Sequence, residues 1–174
     1  FSPWVERCAP LIPPGGSVLD VACGAGRHVT FLARAGYRVT AIDRDISRFV
    51  SGEAIEAIKT DLEGGNAWPL SGRMFDAVVV TNYLHRPLFP TLIDSVNPGG
   101  ALIYETFAHG NEKLGRPGNP DFLLRDGELL EAVAEKLSVV MYEAGRIDDP
   151  KPAIVQRIAA VKTETISPAI PRWI

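Results

Sequence analysis

Two cysteines among 174 residues, Cys8 and Cys23, are too few for a disulfide framework and lack the paired spacing of a thiolate zinc site. The three histidines, His28, His85 and His109, stand far apart and offer no metal-ligand spacing, so no metal is expected. Long apolar runs are missing as well. The longest, 77–80 and on into Thr81, is far too short to cross a bilayer, and no charged segment leading into an apolar stretch opens the chain. A cytoplasmic protein with no membrane partner is expected. The first residue is Phe1 and not an initiator Met, so residues preceding it are expected too. Basic excess is also absent: 18 Lys and Arg face 21 Asp and Glu for a net charge of -3, scattered along the chain, which disfavours nucleic acid as a partner.

What is present suffices for an ordinary globular core. Hydrophobic residues make up 46% and charged ones 22%, which excludes disordered and fibrous classes, and the length suits one domain spanning 1–174. Short β-branched or aliphatic segments at 17–21, 38–42, 55–60, 75–81, 101–106, 138–144 and 156–162 are seven expected strands. They alternate with helical or loop segments, which predicts an α/β fold with a mostly parallel sheet covered on both faces. Helices are predicted over 27–35, closed by Gly36, over 88–96, ended by Asn97-Pro98-Gly99-Gly100, and over 126–137. The stretch 45–52 has room only for a short helix. The connection 146–155 holds Pro150 and Pro152 and no helical pattern, so the last two strands are expected to form an antiparallel hairpin. Segment 109–122, with three glycines and two prolines, is expected to lack regular structure and to close over a ligand at the end of the fifth strand.

The chemistry is concentrated in Val18-Leu19-Asp20-Val21-Ala22-Cys23-Gly24-Ala25-Gly26-Arg27-His28, a predicted strand running through a glycine turn into a helix. Gly24 and Gly26 let the backbone approach a ligand, and helix N-terminal amides point into the same space. Nineteen residues beyond Gly24, Asp43 ends the second strand, where a carboxylate can accept from both ribose hydroxyls of an adenosine. Dinucleotides and S-adenosylmethionine both use this layout. The third glycine of the dinucleotide fingerprint is Val29 here, and Asp20 lies close enough to repel a pyrophosphate while attracting an ammonium or a sulfonium.

With Asp20, Gly24-Ala25-Gly26 and Asp43 in this order, the chain resembles the class I S-adenosylmethionine-dependent methyltransferases over nearly its whole length. Within them it is nearest to the tellurite-resistance and thiopurine-type small-molecule branch, through the Arg27-His28 that continues the glycine turn. The resemblance implies a Rossmann-like three-layer sandwich with strand order 3-2-1-4-5-7-6 and the seventh strand antiparallel. It further implies S-adenosylmethionine as cofactor, held by Asp20, Ala22, Gly24, Gly26, Asp43, Arg44, Asp61, Leu62 and Asn82. Asp61 is expected to accept from the adenine amine. Arg44 either lies against the adenine face or pairs locally.

His85, just past the fourth strand, is the expected general base because imidazole titrates near neutral pH, with Tyr83 beside it as a second catalytic residue. Arg86, His109, Asn111, Lys113 and Arg116 are expected to surround an anionic acceptor, and Glu105 to face it. His28 reads as a solvent or cap residue that can alternatively reach the methionine carboxylate. Trp4 covers the pocket or anchors the core. Asn82 is not followed by the Pro-Pro-aromatic run of many nucleic-acid amino methyltransferases. The expected activity is therefore methyl transfer to a small molecule by in-line displacement, in a monomer or homodimer. Alternatives are a non-catalytic S-adenosylmethionine-binding module or partner subunit, and an RNA methyltransferase.

Overall fold

The strands in chain order are β1 (Ser17–Val21), β2 (Arg38–Asp43), β3 (Ile55–Lys59), β4 (Phe75–Thr81), β5 (Val96–Phe107), β6 (Ser138–Ile147) and β7 (Ala153–Val161). In the computed structural model, which describes residues 1–48 and 52–163, they form one sheet in the order β3-β2-β1-β4-β5-β7-β6. The pairs among β1 to β5 are parallel, and β7 runs antiparallel to both β5 and β6. Order and direction agree with expectation.

Side chains alternate across a strand, so each strand supplies two cores. Val18, Val39, Val79, Ile103 and Ala159 pack under α1 (Pro3–Cys8) and α2 (Arg27–Arg34), through Trp4, Val5, Val29 and Leu32. Leu19, Ile42, Val80, Leu102 and Ile158 pack on the other face under α3 (Phe89–Asp94) and α4 (Glu128–Val133). None of these helices exceeds eight residues, too short to persist alone, so burial of their apolar stripes must hold them. Among the described residues no helix covers β3, the half-buried edge strand. Residues 49–51 of the expected short helix over 45–52 lie outside the described residues.

Several boundaries differ from expectation, each for a local reason. The third helix stops at Asp94 because Ser95 turns its hydroxyl back onto the Thr91 carbonyl at 2.8 Å while its own carbonyl accepts from Phe75 N at 2.8 Å. Val96 thereby begins β5, opposite Phe75. The fourth helix starts at Glu128, after Gly127 at φ 71, and ends where Ala134 turns extended and Glu135 takes φ 63. The segment 109–122 is more regular than expected. It contains 3-10 turns at Asn111–Lys113 and Pro120–Phe122, and a bridge between Ala108 and Leu124 closes it. Asn111 is buried, donating to the Pro117 carbonyl at 3.1 Å and accepting from Ile154 N at 3.1 Å. Its amide is spent on folding, not on an acceptor.

Candidate cofactor and acceptor site

Two cavities open at the C-terminal ends of the parallel strands. The first, of about 450 Å³, lies past β1, β2 and β3 and is lined by Ala22, Asp43, Arg44, Thr60, Asp61, Leu62, Glu63, Asn82, Tyr83 and Phe122. The second, of about 260 Å³, lies at the end of β5 and the start of β7, between the N-terminal segment and the loop joining β6 to β7. Asn82 belongs to both linings. It follows β4 directly and takes φ 55, a left-handed conformation that Asn tolerates better than most residues, while its N–H donates to the Glu105 carbonyl at 2.9 Å.

The first cavity gathers six of the nine expected cofactor residues: Ala22, Asp43, Arg44, Asp61, Leu62 and Asn82. Asp43 is already oriented there. One carboxylate oxygen accepts from Gly24 N at 2.8 Å and the other from Asp45 N at 2.9 Å, leaving each a free lone pair for a hydroxyl. Gly24 at φ 56 has nothing within 4 Å of where a Cβ would sit, so the turn leaves open space beside the strand end. Gly26, buried and at φ 72, caps α2. Neither glycine is in the cavity lining itself; they set the turn that shapes it. Thr60, Glu63 and Phe122 were not anticipated. Phe122 reaches the cavity from the segment 109–122, so that segment serves the cofactor side, and no composition signal marks which cavity a loop will meet.

Asp20 is set apart from that lining, on β1 beneath α2, 1% exposed. Neither of its oxygens has a hydrogen-bond partner among the described residues, a condition rare for a buried carboxylate. Burial pushes its pKa up to about 7, with Asp43 raising it further and Arg27 and the nearby Val29 amide pulling it down; that amide falls short of hydrogen-bond geometry. Arg27, the first residue of α2, lines the second cavity. An acid and a base at the two sides of one glycine turn complement the ammonium and carboxylate of an amino acid. Arg27 was missed as a cavity-lining residue, although its place directly after Gly26 was the available signal. Cys23 is no nucleophile, because burial and the charges of Asp20 and Asp43 push its thiol up to about 12.

The other expected residues are placed differently. Tyr83 faces the first cavity, where burial and the Glu63 carboxylate raise its phenol well above the ordinary value and keep it protonated; it is a wall of the cofactor cavity. His85 lines neither cavity; it is half-buried at the start of the 3-10 turn Arg86–Leu88. Arg86 does not offer its charge to an acceptor. It makes a bidentate contact with Glu128 at 2.6 and 3.0 Å and also donates to the carbonyls of Asp121 and Leu123. His109 and Arg116 are exposed on the 109–122 segment and line neither cavity. His28, read as a solvent or cap residue, is 1% exposed. Its Nε2 accepts from Ser2 N at 3.0 Å and Nδ1 lies 3.3 Å from Thr81 Oγ1. Burial drives its pKa down to about 3, so the ring is neutral and structural. Glu105 lines the second cavity, accepting from Ser2 Oγ at 2.8 Å and ion-paired with Arg157. Trp4 anchors the core at 2% exposure, with Arg157 stacked 5.9 Å from its ring.

Residues 18–100 match the model of a methyltransferase domain. The chain is 33% identical over 121 residues to the ubiquinone biosynthesis O-methyltransferase of Ralstonia nicotianae, covering 63% of this chain and 50% of that protein. It is 30% identical over 134 residues to the demethylmenaquinone methyltransferase of Renibacterium salmoninarum, covering 72% and 54%. The chain thus spans about half the length of the curated relatives it matches. Among solved structures it superposes on TehB from Haemophilus influenzae with a TM-score of 0.72 at 20% identity, over 93% of this chain and 62% of that one.

Proposed function

We propose that this chain, which matches a methyltransferase-domain model over residues 18–100 and shares the fold of such enzymes, transfers a methyl group from S-adenosylmethionine to a small molecule by in-line displacement. The observation that carries this reading is Asp20, a buried carboxylate with no hydrogen-bond partner among the described residues, on the strand that leads into the glycine turn near a cavity of about 450 Å³. The residues present fit the cofactor: Asp43 holds the ribose hydroxyls, Asp61 and Leu62 meet the adenine, Asp20 takes the ammonium and Arg27 the carboxylate. When bound, S-adenosylmethionine supplies a methyl on a positively charged sulfur that leaves as a neutral thioether.

The protein's own contribution is then placement. Asn82 separates the two cavities, and ordering an acceptor beside it replaces a bimolecular encounter; effective molarities in intramolecular models reach about 10⁵–10⁸ M. Among the described residues lining the second cavity there is no histidine, and Glu105 is committed to Ser2 and Arg157. The acceptor therefore has to offer a lone pair from its neutral form and give up its proton late. A small-molecule acceptor is supported by the two quinone-pathway relatives and by the lack of a basic excess in the composition.

Calorimetry with S-adenosylmethionine, S-adenosylhomocysteine and NAD tests the cofactor assignment. The first two are expected to bind and the third not, because Asp20 opposes a pyrophosphate. Binding of NAD alone overturns it. Turnover of S-adenosylmethionine across thiols, phenols, amines and metalloid oxyanions then separates an enzyme from a binding module.

A further inference from the structure

We infer that the second cavity is the acceptor site and that its ligand is an uncharged molecule about one aromatic ring in size; this rests on the methyltransferase reading above. At about 260 Å³ the cavity falls just below the roughly 300–1,000 Å³ of drug-sized ligand pockets, so its occupant is small. Half of its lining residues are apolar, among them Phe1, Phe107, Ile147, Pro150, Ala153 and Val155. Phe107, Ala153 and Val155 point to the same side because they sit two residues apart on β7 and at the matching position of β5, where Phe107 pairs with Val155.

The charges in the cavity are already balanced. Arg157 lies between Glu105 and Glu143, its register partners on the strands to either side, and forms ion pairs with both. Asp149 and Lys151 stand on the same loop with opposite signs. The remaining charged side chain of the described lining, Arg27, is assigned to the methionine carboxylate. The charge left to a ligand is the opposite pair Asp149 and Lys151 on the loop, whereas a neutral ring meets the apolar wall without giving up the hydration of a charge of its own.

The N-terminal segment completes the enclosure. Phe1 stacks on Phe31 of α2 with ring centroids 4.1 Å apart, and Ser2 is fastened to both His28 and Glu105. The floor and the roof are thereby tied to the helix that carries the glycine turn. Because Asn82 is the lining residue that both cavities share, the nucleophilic atom of the acceptor is placed at that residue.

The test titrates p-cresol and 9-phenanthrol, of one and three fused rings, into the protein saturated with S-adenosylhomocysteine, whose own affinity is measured first. Failure of S-adenosylhomocysteine to bind sinks the cofactor reading, an outcome distinguishable from any result with the two phenols. With it bound, p-cresol is expected to bind and 9-phenanthrol to bind at least about tenfold more weakly. Ala153→Phe and Val155→Phe, which fill the cavity, are each expected to weaken p-cresol at least about tenfold while S-adenosylhomocysteine affinity stays within about threefold. Ala153 opens β7, so its variant tests the site even where Val155→Phe fails to fold. No binding of p-cresol, equal binding of the two probes, or an Ala153→Phe protein that binds p-cresol as the parent does overturns the assignment.

Discussion

Asp20 and Glu105 are both carboxylates near the C-terminal ends of central strands, 1% and 7% exposed, and the fold treats them in opposite ways. Glu105 accepts from Ser2 and pairs with Arg157, which is itself shared with Glu143. Asp20 receives no hydrogen bond from any described residue. A buried charge that is fully partnered belongs to the architecture, since removing its partner leaves an uncompensated ion. One that receives no hydrogen bond at a strand end beside a glycine turn fits the proposed role of meeting a cationic ligand group. The contrast separates the two walls of the site more sharply than burial does.

The largest effect is expected on the Glu105 side. Arg157→Ala takes the ion-pair partner from buried Glu105, while Glu143 keeps Arg7 at 2.7 Å, and breaking a buried pair in this way costs about 3–5 kcal/mol of unfolding free energy, read from the urea midpoint. Asp20→Asn is expected to go the other way at pH 8, raising the midpoint of the ligand-free protein by removing an unpaired buried charge. If both variants lose stability, the two carboxylates are equivalent and the contrast fails.

Next comes Asp43, which lies between these extremes because it is oriented by two backbone amides and still has lone pairs to offer. Asp43→Ala should weaken S-adenosylmethionine binding by about 1–3 kcal/mol, the loss of charge-assisted bonds to two hydroxyls. Calorimetry on a protein with unchanged circular dichroism checks it. Unaltered affinity would remove Asp43 from the ribose.

The third prediction uses pH to sharpen the comparison. The folded-state pKa of Asp20 is raised to about 7 from 3.8, so the fold favours the protonated acid. Its stabilising contribution is complete below about 4 and is lost as pH rises through 7. A cationic ammonium has the opposite preference and binds the ionised form. S-adenosylmethionine affinity is therefore expected to climb by up to about tenfold per pH unit between 5 and 7 and then level off, while Asp20→Asn flattens the profile. A profile in the parent protein as flat as in the variant would mean that the ammonium binds elsewhere.

Much of the frame was legible in the sequence because it is written locally. Runs of Val, Ile and Ala marked the central strands, the two glycines marked the turn, and an acid at a strand end marked Asp43. Long-range pairings were not legible. Arg86 looked like a free cation because its captor, Glu128, lies 42 residues away. The Glu105–Arg157–Glu143 row depends on the register of β7 between two antiparallel neighbours, which no local pattern fixes. His28 gave a polar signal at a helix start, yet Ser2, 26 residues earlier, folds over it and buries it. Phe122 was one aromatic in a stretch of glycine and proline, and only the bridge from Ala108 to Leu124 turns it toward the cofactor cavity.

The smallest effect is expected at His85, the residue that position along the sequence favoured most for proton transfer. Asn82 turns the chain with its positive φ, Tyr83 then faces the first cavity, and Leu84 enters the core at 6% exposure. His85 comes after these three and lines neither cavity, so it is not positioned as the base for an acceptor placed at Asn82. His85→Ala should change turnover of a bound arylthiol by less than about threefold, far below the roughly 10²–10⁴-fold loss typical of a deleted general base. The rate against pH is the deciding measurement. An arylthiol enters neutral and carries its own ionisable proton, so the ascending limb should follow the thiol and survive in the variant. Should the limb vanish with the imidazole, the proton is taken at His85 after all, and the 85–88 turn must close onto the acceptor during catalysis.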